Sequence, residues 1–188
     1  MSWTAIILLG LAALLLLWLV TVYNRMVALQ QATSQAWSDV SVQLKQRHDL
    51  VPNLVETVKG YATHERGTLE AVVRARNAAL TAQGPAAQAA AEGQLQGALR
   101  GLLALTESYP DLKANTNFLQ LQAELADIEN KIAAARRFFN NSVAEYNAAT
   151  LQFPAVLLAR NLGFSSRNFF ELPEGEMAAV QAAPQVRF

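Results

Sequence analysis

Apolar and polar positions fall into two regimes along this chain. From Trp3 to Tyr23 only Thr4, Gly10 and Thr21 interrupt a run of Ala, Ile, Leu, Val and Trp, and no charged side chain occurs before Arg25. As a helix that run spans about 31 Å at 1.5 Å per residue, enough to cross a bilayer core of about 30 Å. After Arg25 apolar residues recur instead at helical spacing. Trp37, Val40, Leu44, Val51, Leu54, Val58, Tyr61, Leu69 and Val72 are separated by threes, fours and their sums, the signature of an amphipathic helix. Trp37, Leu44, Val51, Val58, Glu65 and Val72 stand seven apart, so the phase runs through Pro52. This predicts a nearly continuous helix from Arg25 to about Thr81, kinked where Pro52 lacks a donor for the carbonyl of His48. The alternative is a break with Pro52 in the first turn of a new helix. Between Leu11 and Val51 there is no Gly or Pro, so the apolar run and the first amphipathic helix are expected to form one rod.

Gly84-Pro85 ends that helix, and a second is expected from Ala86 to about Ser108. Tyr109-Pro110-Asp111 marks the next turn. Asn117 with Gln120 resembles a capping pair, with Asn115 as a competitor. A third helix to about Gln152 carries the stripe Phe118, Leu121, Leu125, Ile128, Ile132, Phe139, Val143 and Tyr146. Phe153-Pro154 stops it, and a short fourth helix, Ala155–Leu162, ends at Gly163. Phe164, Phe169 and Phe170 are expected to fold back as an aromatic plug on one end of the bundle. No alternating strand pattern of useful length occurs. The expected fold is all-α: an N-terminal transmembrane helix continuing into an elongated antiparallel bundle of about three long helices plus one short one. The expected divisions are an anchor at 1–24, the bundle at 25–172 and a mobile C-terminal tail at 173–188.

A cleaved signal peptide is the rival reading of the apolar run. It lacks support, because no Lys or Arg precedes the run and Val20, Thr21, Val22 and Tyr23 offer no small-x-small site. A retained single-pass anchor makes the lipid bilayer a partner through residues 3–23. Arg25 beside its end leans towards a cytoplasmic soluble domain by the positive-inside rule.

Charge narrows function mainly by exclusion. Acidic and basic residues balance at 15 each, which gives no electrostatic reason to expect nucleic acid. Cys is absent and only His48 and His64 supply imidazole. That leaves no thiolate nucleophile and no Cys-ligated metal. Neither His has Glu three residues before it, as a helical di-metal site requires. After His64-Glu65, Thr68 stands where a zincin needs its second His. No Gly-x-Ser-x-Gly elbow or phosphate loop occurs. No cofactor, metal or catalytic residue is therefore assigned.

Two polar groups stand out as candidate partner-binding residues: Lys45, Arg47, Asp49, Asn53 and Lys59 on the first helix, and Glu129, Arg136, Asn140 and Asn147 on one side of the third. The second set flanks the apolar seam, where ion pairs and amides also fix helix register. Gly93, Gly97 and Gly101 stand four apart on one helix face. Each costs about 1 kcal/mol relative to Ala in a helix, so close approach of another helix in the chain is expected there, with a deliberately soft segment as the alternative.

Longer motifs carry a resemblance. The stretch from Ala36 to Ala62, AWSDVSVQLKQRHDLVPNLVETVKGYA, resembles the signature of the LemA family of bacterial membrane proteins. So do Glu107–Asn115, Leu121–Ile132, Ala135–Asn140, Tyr146-Asn147, Phe153-Pro154 and Gly163-Phe164. Gln46 and Phe139 depart from residues common at those places. The resemblance implies a helical bundle behind an N-terminal transmembrane helix, at a bacterial inner membrane, and no established catalytic activity. The expected function is a non-enzymatic membrane-tethered scaffold or adaptor that forms a homo-oligomer. The alternatives are an accessory subunit of a membrane protease or envelope stress system, with a membrane protein partner, and an enzyme using a polar site at Arg47, Asp49, Asn53 and Arg136.

Overall fold

A computed structural model describes residues 2–62 and 64–171, and every described element is helical. Helix α1 spans Trp3–Lys59, α2 Arg66–Thr81, α3 Pro85–Leu105, α4 Pro110–Lys113 and α5 Thr116–Leu151. Single 3-10 turns cover Thr106–Ser108 and Ala155–Leu157. The expected tail at 173–188 lies outside the described residues.

Helix α1 runs unbroken through the end of the apolar stretch and through Pro52. Proline at 52 cannot donate to the carbonyl four residues earlier. The guanidinium of Arg76 on α2 supplies that donor, its Nε bonding the His48 carbonyl at 2.7 Å. A long-range side chain thus satisfies the group that the proline orphans.

The long helix expected to Thr81 is corrected, because it ends at Lys59 and α2 begins at Arg66. Gly60 weakens the helix there, but the turn is fixed from afar. Asn115 donates to the Tyr61 hydroxyl at 2.8 Å, Tyr109 donates to Glu65 at 3.4 Å, and Ala62 is fully buried. Asn115, rather than Asn117, caps α5: its Oδ1 accepts from the backbone N–H of Phe118 at 2.9 Å. The expected fourth helix reduces to the turn at Ala155–Leu157, with Gly163 at φ 84°, a conformation that favours glycine.

The chain forms two compact units. The first combines residues up to Ser38 with Phe138–Arg167, and the second combines Asp39–Arg137 with Asn168–Glu171. In the second, Val51, Leu54, Val58, Val72, Leu95, Leu102, Leu112 and Phe118 form a buried core with their neighbours. In the first, Met26, Tyr146, Ala149, Ala155, Ala159 and Phe164 form a smaller one. There Trp37 packs on Phe139 with ring centroids 5.2 Å apart, and Tyr23 meets Phe164 edge-on at 5.7 Å.

The aromatic plug is therefore also corrected. Phe164 belongs to the first unit's core, Phe170 is buried in the second unit, and Phe169 is 36% exposed.

Candidate functional site

The densest polar group in the second unit is a buried ion cluster on three helices. Arg47 and His48 are adjacent on α1, Gln88 and Glu92 stand one turn apart on α3, and Glu129 comes from α5. Arg47 donates through Nη2 to Glu92 and through Nη1 to Glu129 Oε1, the latter at 2.7 Å. Glu92 Oε1 also accepts from His48 Nε2 at 2.8 Å and from Gln88 Nε2 at 2.7 Å. Gln88 ties in α2 as well, donating to the Ala79 carbonyl at 3.0 Å. Arg47 and Glu92 are each 2% exposed as side chains, and Glu129 is 30% exposed.

Burial pushes the Glu92 carboxyl up, since a buried charge loses its hydration. The hydrogen bond from His48, the charge of Arg47 and the Gln88 amide outweigh that, and the net pKa lies below the usual carboxylate range. Glu92 is thus an ionised acceptor held by Arg47, His48 and Gln88. The N–H of Arg47 Nε has no protein acceptor. A cavity of about 160 Å³ adjoins this guanidinium, bordered also by Gln96, Asn130, Ile132, Arg136 and Phe170.

The other expected site residues divide between several places. Lys45 and Asp49 are exposed and pair with each other at 2.5 Å, and that hydrogen bond holds the Asp49 carboxyl below its ordinary pKa. Asn53 is exposed, and Lys59 pairs with Glu56 at 3.2 Å on the surface. Lys59 also borders an open groove with Val55, Arg66, Leu69, Val73 and Arg74. Of the α5 stripe, Glu129 and Arg136 border the cavity. Asn140 and Asn147 belong to the first unit, both half-buried.

Asn147 grips the backbone of Arg167 in both directions. Its Nδ2 donates to the Arg167 carbonyl at 2.9 Å, and its Oδ1 accepts from the Arg167 N–H at 2.8 Å. The guanidinium so placed lies 5.5 Å from the Tyr146 ring centroid and donates to Thr33 Oγ1 at 2.6 Å. Asn147 is a backbone clamp here, a role its position on the stripe did not disclose.

The polar constellation proposed for an enzyme is only partly assembled. Arg47 and Arg136 border one cavity, while Asp49 and Asn53 do not line it. The expectation of close packing at the glycine stripe is corrected at two positions. A Cβ at Gly97 or Gly101 would meet no atom within 4 Å, and both residues are exposed. Glu92 was missed by sequence reasoning. Its signal was isolation: it is the sole charged residue between Arg76 and Arg100, and a carboxylate that is buried on such a helix needs a counter-charge.

The profile of the LemA family matches residues 36–188. The chain belongs to the LemA family. The match begins beside Trp37, so the apolar run lies outside it. Magnetosome protein MamQ of Magnetospirillum gryphiswaldense is 27% identical over 191 residues, covering 87% of this chain and 70% of that protein. Magnetosome protein MamQ 2 of Paramagnetospirillum magneticum is 24% identical, covering 84% and 68%. Protein LemA of Metamycoplasma hominis is 24% identical, covering 85% and 74%. These LemA relatives are bacterial.

Proposed function

We propose that this LemA-family chain is a non-enzymatic, membrane-tethered helical scaffold or adaptor that self-associates. The observation that carries the reading is a contrast within α1. Its apolar stretch is long and apolar enough to cross a membrane, and Ile6, Leu9, Leu11, Leu14 and Leu17 are all more than half exposed. A helix hydrophobic all round needs a lipid or protein environment. Its polar stretch places Arg47 and His48 inside, both bonded to Glu92 and Arg47 also to Glu129, which suits the fixing of helix register better than work on a substrate. The magnetosome name borne by two relatives fits a part of a larger assembly. Arg25, beside the end of the apolar run, favours a cytoplasmic face at a bacterial inner membrane.

The test is the mass of the full chain in detergent and in nanodiscs. Oligomers in both support a self-associating scaffold; a monomer in both overturns self-association. The accessory-subunit reading draws on the open groove between α1 and α2, where Leu69 and Val73 lie between Lys59, Arg66 and Arg74. Crosslinking in intact membranes from Lys59 separates the two: a stoichiometric foreign protein favours the accessory role, and self-crosslinks alone count against it.

A further inference from the structure

The segment after α5 has its side chains arranged the wrong way round for water. Ala155 and Ala159, the small residues, are buried in the first unit's core. Leu151, Phe153 and Leu157, the large ones, are 68%, 78% and 66% exposed, and Val156 and Leu162 are exposed beside them. A loop facing water buries its Phe and Leu side chains and presents polar ones, because exposed apolar area is unfavourable in proportion to its extent.

The place of this segment identifies its solvent. Ala155, Ala159 and Phe164 pack against Met26, with Val22 and Val27 beside them. The Tyr23 ring meets Phe164. Phe153 and Ala155 share a small cavity wall with Val22 and Met26. The inverted segment therefore sits at the level of α1 where the apolar run ends, at Tyr23-Asn24. Charge agrees: this unit carries Arg25, Arg160 and Arg167 against the single acid Glu145, a balance suited to an anionic lipid surface.

We propose that Leu151–Leu162 is a second membrane contact, a foot that inserts Phe153 and Leu157 into the bilayer interface beside the anchor, with Arg160 at headgroup level. This rests on the reading that residues 3–23 cross the bilayer. The foot adds an interfacial contact of the monotopic kind, giving the unit two points of attachment.

The chain has no cysteine, so single cysteines take a nitroxide label at one place only. Full-length Phe153→Cys, Leu157→Cys, Leu14→Cys and Leu119→Cys, all at exposed positions, are labelled in nanodiscs of phosphatidylethanolamine and phosphatidylglycerol. Power-saturation EPR then compares oxygen with a water-soluble nickel chelate. The foot predicts that nickel relaxes labels at 153 and 157 several-fold less than at 119, with oxygen favoured, and most favoured at 14. Nickel access at 153 and 157 equal to that at 119, with 14 in lipid, overturns the foot and leaves the anchor standing. Water-like access at 14 overturns the anchor reading and the foot with it. Dipolar broadening at 157 that disappears on spin dilution, with low oxygen access, assigns the patch to a second copy and overturns the lipid proposal.

Discussion

The two units solve opposite problems with the same helices. In the unit built on Asp39–Arg137, large apolar residues line the core and charge is drawn inside with them. Arg47 and Glu92 are nearly inaccessible, and their cost is offset by each other, His48, Gln88 and Glu129. In the unit built on residues up to Ser38 and Phe138–Arg167, three alanines share the core with Met26, Tyr146 and Phe164, while Leu151, Leu157 and Phe153 face outward. Its polar work falls to a neutral amide, Asn147, acting on backbone, and to the Arg167 guanidinium that the amide positions. The lesson is that a buried charge cluster specifies one arrangement of helices in water, whereas outward apolar side chains presuppose another solvent.

The largest effect that separates the units should come from Glu92→Ala. It leaves Arg47 buried with only Glu129, and breaking a buried pair from one side costs about 3–5 kcal/mol. Amide hydrogen exchange should lose protection through α3. Emission from Trp37 should hold, since all three tryptophans belong to the other unit. Equal losses in both would erase the distinction drawn here.

Acid should act on the same carboxyl. Its folded pKa is depressed, so the unfolded state binds the proton first, at an ordinary value of about 4.3. The contribution is complete above that value and is lost as pH falls through the folded one. Urea midpoints of Glu92→Gln should therefore fall less steeply than those of the parent below about pH 5.

Asn147→Ala should act on the first unit, with the loss of two hydrogen bonds costing about 1–2 kcal/mol, read from the denaturant midpoint of Trp37 emission. The smallest effect runs the other way. Gly97→Ala and Gly101→Ala should each stabilise α3 by about 0.5–1 kcal/mol, because the added Cβ meets open space. A loss at either position would restore a packing role for the stripe, for example against another molecule.

Helix content was legible because period and punctuation are local. The Gly84-Pro85 stop, the α5 stripe and the unbroken start of α1 follow from residue spacing alone. The break after Lys59 was not legible, because Glu65 and Val72 continue the seven-residue phase by coincidence. The groups that hold the turn, Asn115 and Tyr109, lie more than 40 residues away. Of the candidate site, Arg47 and Glu129 were named but not joined. The residue that joins Arg47 to His48 is Glu92, whose Ala-rich surroundings gave no periodic signal. Ala155–Leu162 has a helix-compatible composition, and composition carries no information on which side is wet.

The clamp at Asn147–Arg167 has a consequence for synthesis. It completes a unit whose other half, with Thr33, was made more than 100 residues earlier. At 5–20 residues per second the ribosome needs roughly 5–20 s for the 99 residues from Asp39 to Arg137. Through that interval the N-terminal half of the unit has emerged without its mate, and the intervening sequence has time to assemble its own interior. The two halves of the first unit therefore meet only after Asp39–Arg137 has been synthesised.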